Sequence, residues 1–170
     1  KDARLLAVQK DTEKRFAGTR SWDFDTAHQG YRYHMSNLFA AVGRVQLRRL
    51  PGEFAPKRID LARQYRTRLQ GVPGLRLLET DLGAVIPHIQ PLRVLRGRRD
   101  DLRETLEGQG IQTGIHYPFP VHLLPAFADL GYRAGQFPHA ERAAAEVLSL
   151  PMFPELTAEQ SAQVASALHA

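Results

Sequence analysis

The hydrophobic pattern changes period at Gly71-Val72-Pro73-Gly74, and that change limits the possible folds more than any other feature of the chain. Before it, apolar residues recur at helical spacing. Leu38, Val42 and Val45 follow the i, i+4, i+7 rule, with Phe39, Ala41 and Leu50 widening the stripe. Leu61, Tyr65 and Leu69 fall one turn apart, flanked by Ile59 and Ala62. After the change come short β-leaning runs, Leu75–Leu78 and Val85–Leu95, broken by Gly83, Pro87 and Pro91. Long helices first, then short strands alternating with helices, predict an α+β arrangement: a small sheet covered on one face by helices.

Local chemistry sets the expected boundaries. Ser36 or Asn37 is the expected N-cap of the first strong helix, which Pro51 interrupts. A second helix resumes near Pro56 and runs to about Leu69, with Gly71 at its end. Pro87 and Pro91 lack a ladder donor and predict edge positions or bulges. Asp100 to Gln109 reads as a short helix with acids at its positive end, and Ile111 to Tyr117 as a strand. Helices are expected at about 122–130, 138–148 and 157–169, the last opening with the capping-box pattern Thr157-Ala158-Glu159-Gln160. Leu148 to Phe153 is the expected final strand. Residues 1 to about 16 read as a helix remnant and 17–35 as an ordered loop; the chain opens on Lys1 in mid-pattern, so upstream sequence is expected.

Composition closes off several function classes. With 170 residues, 43% of them hydrophobic, the chain can bury one core. It has no Cys, which excludes disulfides, thiolate zinc sites and thiol nucleophiles, and makes a reducing cytoplasm the default. No stretch approaches the roughly 20 apolar residues of a membrane span. The net charge of +5 rests on many Arg and only four Lys, interleaved with acids: Asp100, Asp101 and Glu104 lie among Arg98, Arg99 and Arg103. Such mixing reads as a solvated face, and a nucleic-acid partner is not expected.

Two stretches concentrate chemistry. In Gly30-Tyr31-Arg32-Tyr33-His34-Met35-Ser36-Asn37, Arg32 brings a planar fork suited to phosphate or carboxylate, just ahead of a helix N-terminus that also favours anions. The residues alone leave a second reading open, with Tyr31 and Tyr33 as packing residues and Arg32 as a surface ion. In Gly114-Ile115-His116-Tyr117-Pro118-Phe119-Pro120-Val121-His122, a strand end runs into two prolines, so His116 and Tyr117 are held by a stiff loop of the kind that carries binding groups. The spacing of His116 and His122 matches no zinc pattern, and substrate contact or a hydrogen-bonded structural role is expected of them. His88, between Pro87 and Ile89, reads as a satisfied core or hydrogen-bonded histidine. No nucleophile elbow, Gly-rich phosphate loop or H-E-x-x-H motif is present.

Three motifs taken in order carry a family resemblance. They are Gly30 to Ser36 followed by Ala40-Ala41-Val42-Gly43-Arg44-Val45-Gln46-Leu47; Gly110-Ile111-Gln112-Thr113-Gly114-Ile115-His116-Tyr117-Pro118; and Leu148-Ser149-Leu150-Pro151-Met152-Phe153-Pro154. With Arg99-Asp100 and Leu130-Gly131-Tyr132 between them, the whole chain resembles the C-terminal part of the DegT/DnrJ/EryC1/StrS family of pyridoxal-phosphate-dependent sugar aminotransferases. The resemblance implies a fold-type I transferase: a cytoplasmic homodimer acting on a nucleotide-linked keto sugar with an amino-acid donor such as glutamate. Residues 1–50 would be the tail of the large cofactor domain with the dimer and active-site loop. Residues 51–170 would be the small α+β domain, with a mostly antiparallel sheet preceded by long helices. Arg32 would contact the phosphate of pyridoxal 5'-phosphate across the dimer, and His34, His116 and Tyr117 would lie on the substrate side.

The family usually has Asn at the position of Arg32 and Arg at that of His34. The Schiff-base Lys and the Asp that pairs with the pyridine nitrogen would lie upstream of Lys1, since Lys1, Lys10, Lys14 and Lys57 all lack the family's Ser-containing, Gly-followed context. Two readings follow: part of a transaminase, with the Lys-replaced dehydratase branch inseparable from it, or a non-catalytic dimerising remnant of the same fold.

Overall fold

A computed structural model describes residues 35–169. Arg32, His34, the segment expected as a helix remnant and all but the last residue of the expected ordered loop lie outside the described residues. The chain divides into two units, Lys1–Val45 and Gln46–Ala170. In the first, Ser36 is the N-cap, one of the two residues expected there: its Oγ accepts from the Phe39 N–H at 3.3 Å and its carbonyl from the Ala40 N–H at 2.9 Å. Helix α1, Asn37–Arg49, begins there, and its stripe of Leu38, Phe39, Val42 and Val45 is half or more exposed.

In the second unit Pro51 does not break the helix as expected. The chain passes through one π-helical turn, Leu50–Phe54, where the Ala55 N–H reaches the Leu50 carbonyl, and continues as α2, Ala55–Leu69. Widening the register by one residue absorbs a residue that cannot donate. Arg49 staples the turn, with Nε and Nη2 each 2.8 Å from the Glu53 carboxylate and the guanidinium 4.6 Å over the Phe54 ring.

Strands β1 (Leu75–Leu77), β2 (Gln90–Val94) and β3 (Val147–Leu150) form an antiparallel sheet in the order β1-β2-β3. The register aligns Leu77, Leu92 and Leu148 in one row, with Leu75 opposite Val94. Because strand side chains alternate, these leucines share a face with Leu150. That face meets Leu61, Ala62, Tyr65 and Leu69 of α2, Leu106 of α3 (Arg99–Gly108), and Val164 and Ala165 of α5 (Ala158–Ala167) in one buried core. Each leucine or valine among them contributes roughly 1.5–3 kcal/mol by leaving water.

Pro91 lies in the central strand, not at an edge as expected. The register explains why it is tolerated. Ser149, opposite Pro91, exchanges both backbone hydrogen bonds with Gly114 on its other side, so the pair makes none of its own. The missing N–H of Pro91 points instead toward β1, which has already ended at Leu77, opposite Leu92.

Other boundaries differ for local reasons. The strand expected over Val85–Leu95 shortens to Gln90–Val94, because Asp81 draws the preceding chain into a turn, accepting from the Gly83 N–H at 2.8 Å. Ile111–Tyr117 is not a strand: only Gly114 pairs, with Ser149. The helix expected over 122–130 is two short 3-10 turns, Val121–Leu123 and Pro125–Leu130, since Pro125 forces Leu124 into extended backbone (φ −71°, ψ 139°). Helix α4, Pro138–Glu146, stops two residues early and leads straight into β3. The capping box forms as expected, with Thr157 Oγ1 accepting from the Gln160 N–H at 3.2 Å and Gln160 Oε1 from the Thr157 N–H at 3.0 Å.

Candidate functional site

The back of the sheet carries polar groups beside Pro91 and Val147. Opposite the leucine row, Arg93 of β2 pairs with Glu146 at the end of α4, and Ser149 of β3 stands beside them in register with Pro91. Ser149 is 4% exposed, and its Oγ lies 3.0 Å from Nδ1 of His116. The imidazole reaches it by folding back across Gly114, where an added Cβ would come within 2.7 Å of Cε1. Gly114 therefore serves two purposes: its backbone closes the bridge to Ser149, and its bare α-carbon makes room for the ring.

Tyr117 follows, a residue 73% exposed, its ring edge-on to His116 at 5.6 Å. Two of the three residues expected on the substrate side, His116 and Tyr117, are thus held at their base by β3 and exposed at the surface. Together they offer a ring nitrogen and a phenol, groups that bind and orient a polar ligand. Arg32 and His34 lie outside the described residues.

Beyond the prolines the loop is pinned by a second histidine. His122 Nε2 donates to Glu141 Oε1 at 3.1 Å, and the same carboxylate accepts from the N–H groups of Gly135 (2.9 Å to each oxygen) and Phe137 (3.2 Å). The Gly135 N–H above all, then Phe137 and His122, hold the Glu141 carboxyl below the usual carboxylate range. Val121, Phe127, Leu130, Tyr132 and Phe137 surround His122 in an open apolar cavity of about 410 Å³. His122 therefore has the hydrogen-bonded structural role that was one of its two expected readings. His88 does not: its ring is exposed, and its carbonyl is the group used, accepting from Arg58 at 3.0 Å.

Sequence reasoning missed Ser149, Glu141 and the Arg58 clasp. Glu141 had a legible signal, an acid in the first turn of a helix that starts at Pro138, placed to cap backward. Ser149 had none, since only strand pairing brings it to residue 116. The Leu148–Pro154 motif proves to be a row of acceptors. Tyr65 Oη donates to the Pro151 carbonyl at 3.0 Å, and Arg58 to the Met152 carbonyl at 3.1 Å. Burial pushes the Tyr65 phenol up to about 12. Nor are the Arg98–Arg103 charges only a solvated face: Arg99 is mostly buried, donating to the Ala144 carbonyl at 3.0 Å while it pairs with Asp100 at 2.6 Å.

The one lysine among the described residues, Lys57, lies 3.5 Å from the Glu53 carboxylate and outside the Ser-containing, Gly-followed context of a Schiff-base lysine, so these residues do not supply the amine that would hold pyridoxal phosphate.

The described residues thus form an α+β segment with a three-stranded antiparallel sheet and an exposed histidine–tyrosine pair on a loop with two prolines. Comparison with known proteins gives its kinship. The sequence profile of the DegT/DnrJ/EryC1/StrS aminotransferase family matches residues 4–169, and the chain belongs to that family. It is 46% identical over 143 residues to the erythromycin biosynthesis sensory transduction protein EryC1 of Saccharopolyspora erythraea, an alignment covering 84% of this chain and 38% of that one. It is 38% identical over 144 residues to the dTDP-3-amino-3,4,6-trideoxy-alpha-D-glucose transaminase of Streptomyces venezuelae, covering 82% and 36%. The crystal structure of S. venezuelae DesV in complex with a ketimine intermediate superposes with a TM-score of 0.79 at 33% identity, over 96% of this chain and 43% of that one. The chain thus spans less than half the length of these relatives. Among the described residues no helix is long and apolar enough to cross a membrane.

Proposed function

We propose that this chain is the C-terminal portion of a pyridoxal-phosphate-dependent aminotransferase acting on a nucleotide-linked keto sugar. In it, residues 1–50 complete the large cofactor domain and residues 51–170 form the small domain of a cytoplasmic homodimer. His116 and Tyr117 bind and orient the sugar nucleotide, and Arg32 and His34 serve the cofactor phosphate and the substrate. The observation that carries this reading is the His116–Tyr117 pair, exposed on a loop that β3 fixes through Ser149. Relatives named as transaminases of dTDP- and UDP-linked sugars support the substrate class.

The reading frame preceding Lys1 tests the catalytic half of the proposal. A Ser-containing segment bearing a Gly-followed Lys, and the visible absorbance that pyridoxal phosphate acquires on covalent attachment to it, are expected. A preceding segment without that Lys removes the transaminase assignment.

One observation favours a second reading, a non-catalytic dimerising remnant: Arg32 and His34 stand where the family carries Asn and Arg. Pyridoxal phosphate absorbance from the joined polypeptide would dismiss it.

A further inference from the structure

We infer that Ser149 and Gly114 form a positioning pair that holds His116 in one tautomer, with Nδ1 as acceptor and the ring proton on Nε2, free to donate. Among the described residues the Ser149 hydroxyl has one partner, His116 Nδ1 at 3.0 Å. The Ser149 side chain is almost fully buried, and its backbone N–H and carbonyl are both spent on Gly114, at 2.7 and 3.0 Å. A hydroxyl carries one proton and two lone pairs. Were Nδ1 protonated, it would donate to Oγ and leave the buried O–H proton without an acceptor. Donation from the serine to a bare Nδ1 satisfies both groups, and that choice places the ring proton on Nε2.

Gly114 supplies the other half of the device. Its missing Cβ is the space the imidazole occupies, so a side chain there would push the ring off Ser149 without touching the hydroxyl itself. The tautomer matters for what the loop can bind. An Nε2–H offers a donor to an oxygen acceptor, such as a phosphoryl, keto or hydroxyl oxygen of a sugar nucleotide. A bare Nε2 would select a donor instead. The ligand part of this statement rests on the function proposed above; the tautomer does not.

Ring-nitrogen NMR on the 170-residue chain at about pH 8 reads the tautomer directly. Long-range proton–nitrogen correlations are expected to show His116 with a protonated Nε2 and an unprotonated Nδ1. Ser149→Ala and Gly114→Ala, made separately, are each expected to collapse that pattern toward the average of exchanging tautomers, with backbone amide spectra elsewhere unchanged. A wild-type ring protonated on Nδ1 overturns the inference whatever the variants do, and so does a Ser149→Ala spectrum in which the His116 nitrogens do not move. Because no substrate enters the measurement, its failure is distinct from failure of the sugar-nucleotide assignment, which is read from KM.

Discussion

Helices α1 and α2 carry the same kind of apolar stripe and meet opposite fates. On α2 the row Leu61, Tyr65, Leu69 is buried, with Tyr65 entirely without solvent contact, whereas on α1 Leu38, Val42 and Val45 are 72%, 50% and 54% exposed. Periodicity of 3.6 says that a face exists and nothing about what covers it. The difference lies downstream in the chain. The α2 face is covered because β2 and β3 bring Leu92 and Leu148 beneath it and α5 brings Val164 beside it.

The sharpest way to break the contrast is truncation on both helices. Leu61→Ala is expected to cost about 2–5 kcal/mol, a core cavity value, and Leu38→Ala less than about 0.5 kcal/mol. Urea midpoints of the two variants check it, and equal costs would show that the α1 face is covered in solution.

Tyr65→Phe comes next. It leaves the Pro151 carbonyl without its donor, at about 1–3 kcal/mol near neutral pH. It also changes the alkaline limb. Burial raises the folded pKa of Tyr65 from 10.0 to about 12, so its contribution is complete below pH 10 and is lost as pH rises through 12. Melting temperature against pH should fall over that window in wild type and more gently in the variant.

Thr157→Ala removes the cap of α5, the helix that closes the core over α2, and should cost about 1 kcal/mol by thermal unfolding. The smallest effect is expected at the π turn. The Arg49 guanidinium holds the exposed Glu53 carboxyl down at about 2, so the pair's contribution is present above pH 4.5 and fades as pH falls toward 2. Glu53→Gln should flatten that acid limb slightly.

What could be read in advance followed local rules. The caps at Ser36 and Thr157, the α2 face and the α+β order each depend on residues within a turn or two of one another. What could not be read followed long-range pairing. Pro91 is tolerated in the central strand only because β1 ends at Leu77, and Ile111–Tyr117 is no strand because Gly114 alone finds a partner. The same holds at the site. The exposed loop placement of His116 and Tyr117 was legible from the prolines after them, whereas Ser149 lies 33 residues away and meets His116 only through the sheet edge.

The central claim is that the His116–Tyr117 loop meets a sugar nucleotide in an aminotransferase. Amino transfer from glutamate to a dTDP- or UDP-linked keto sugar, assayed with the polypeptide that joins this chain to its preceding reading frame, tests it most directly. The account predicts that His116→Ala raises the KM for the keto sugar at least about tenfold, the loss of one good hydrogen bond to a charged or polar ligand, while cofactor absorbance stays the same. An unchanged KM for the keto sugar would contradict it.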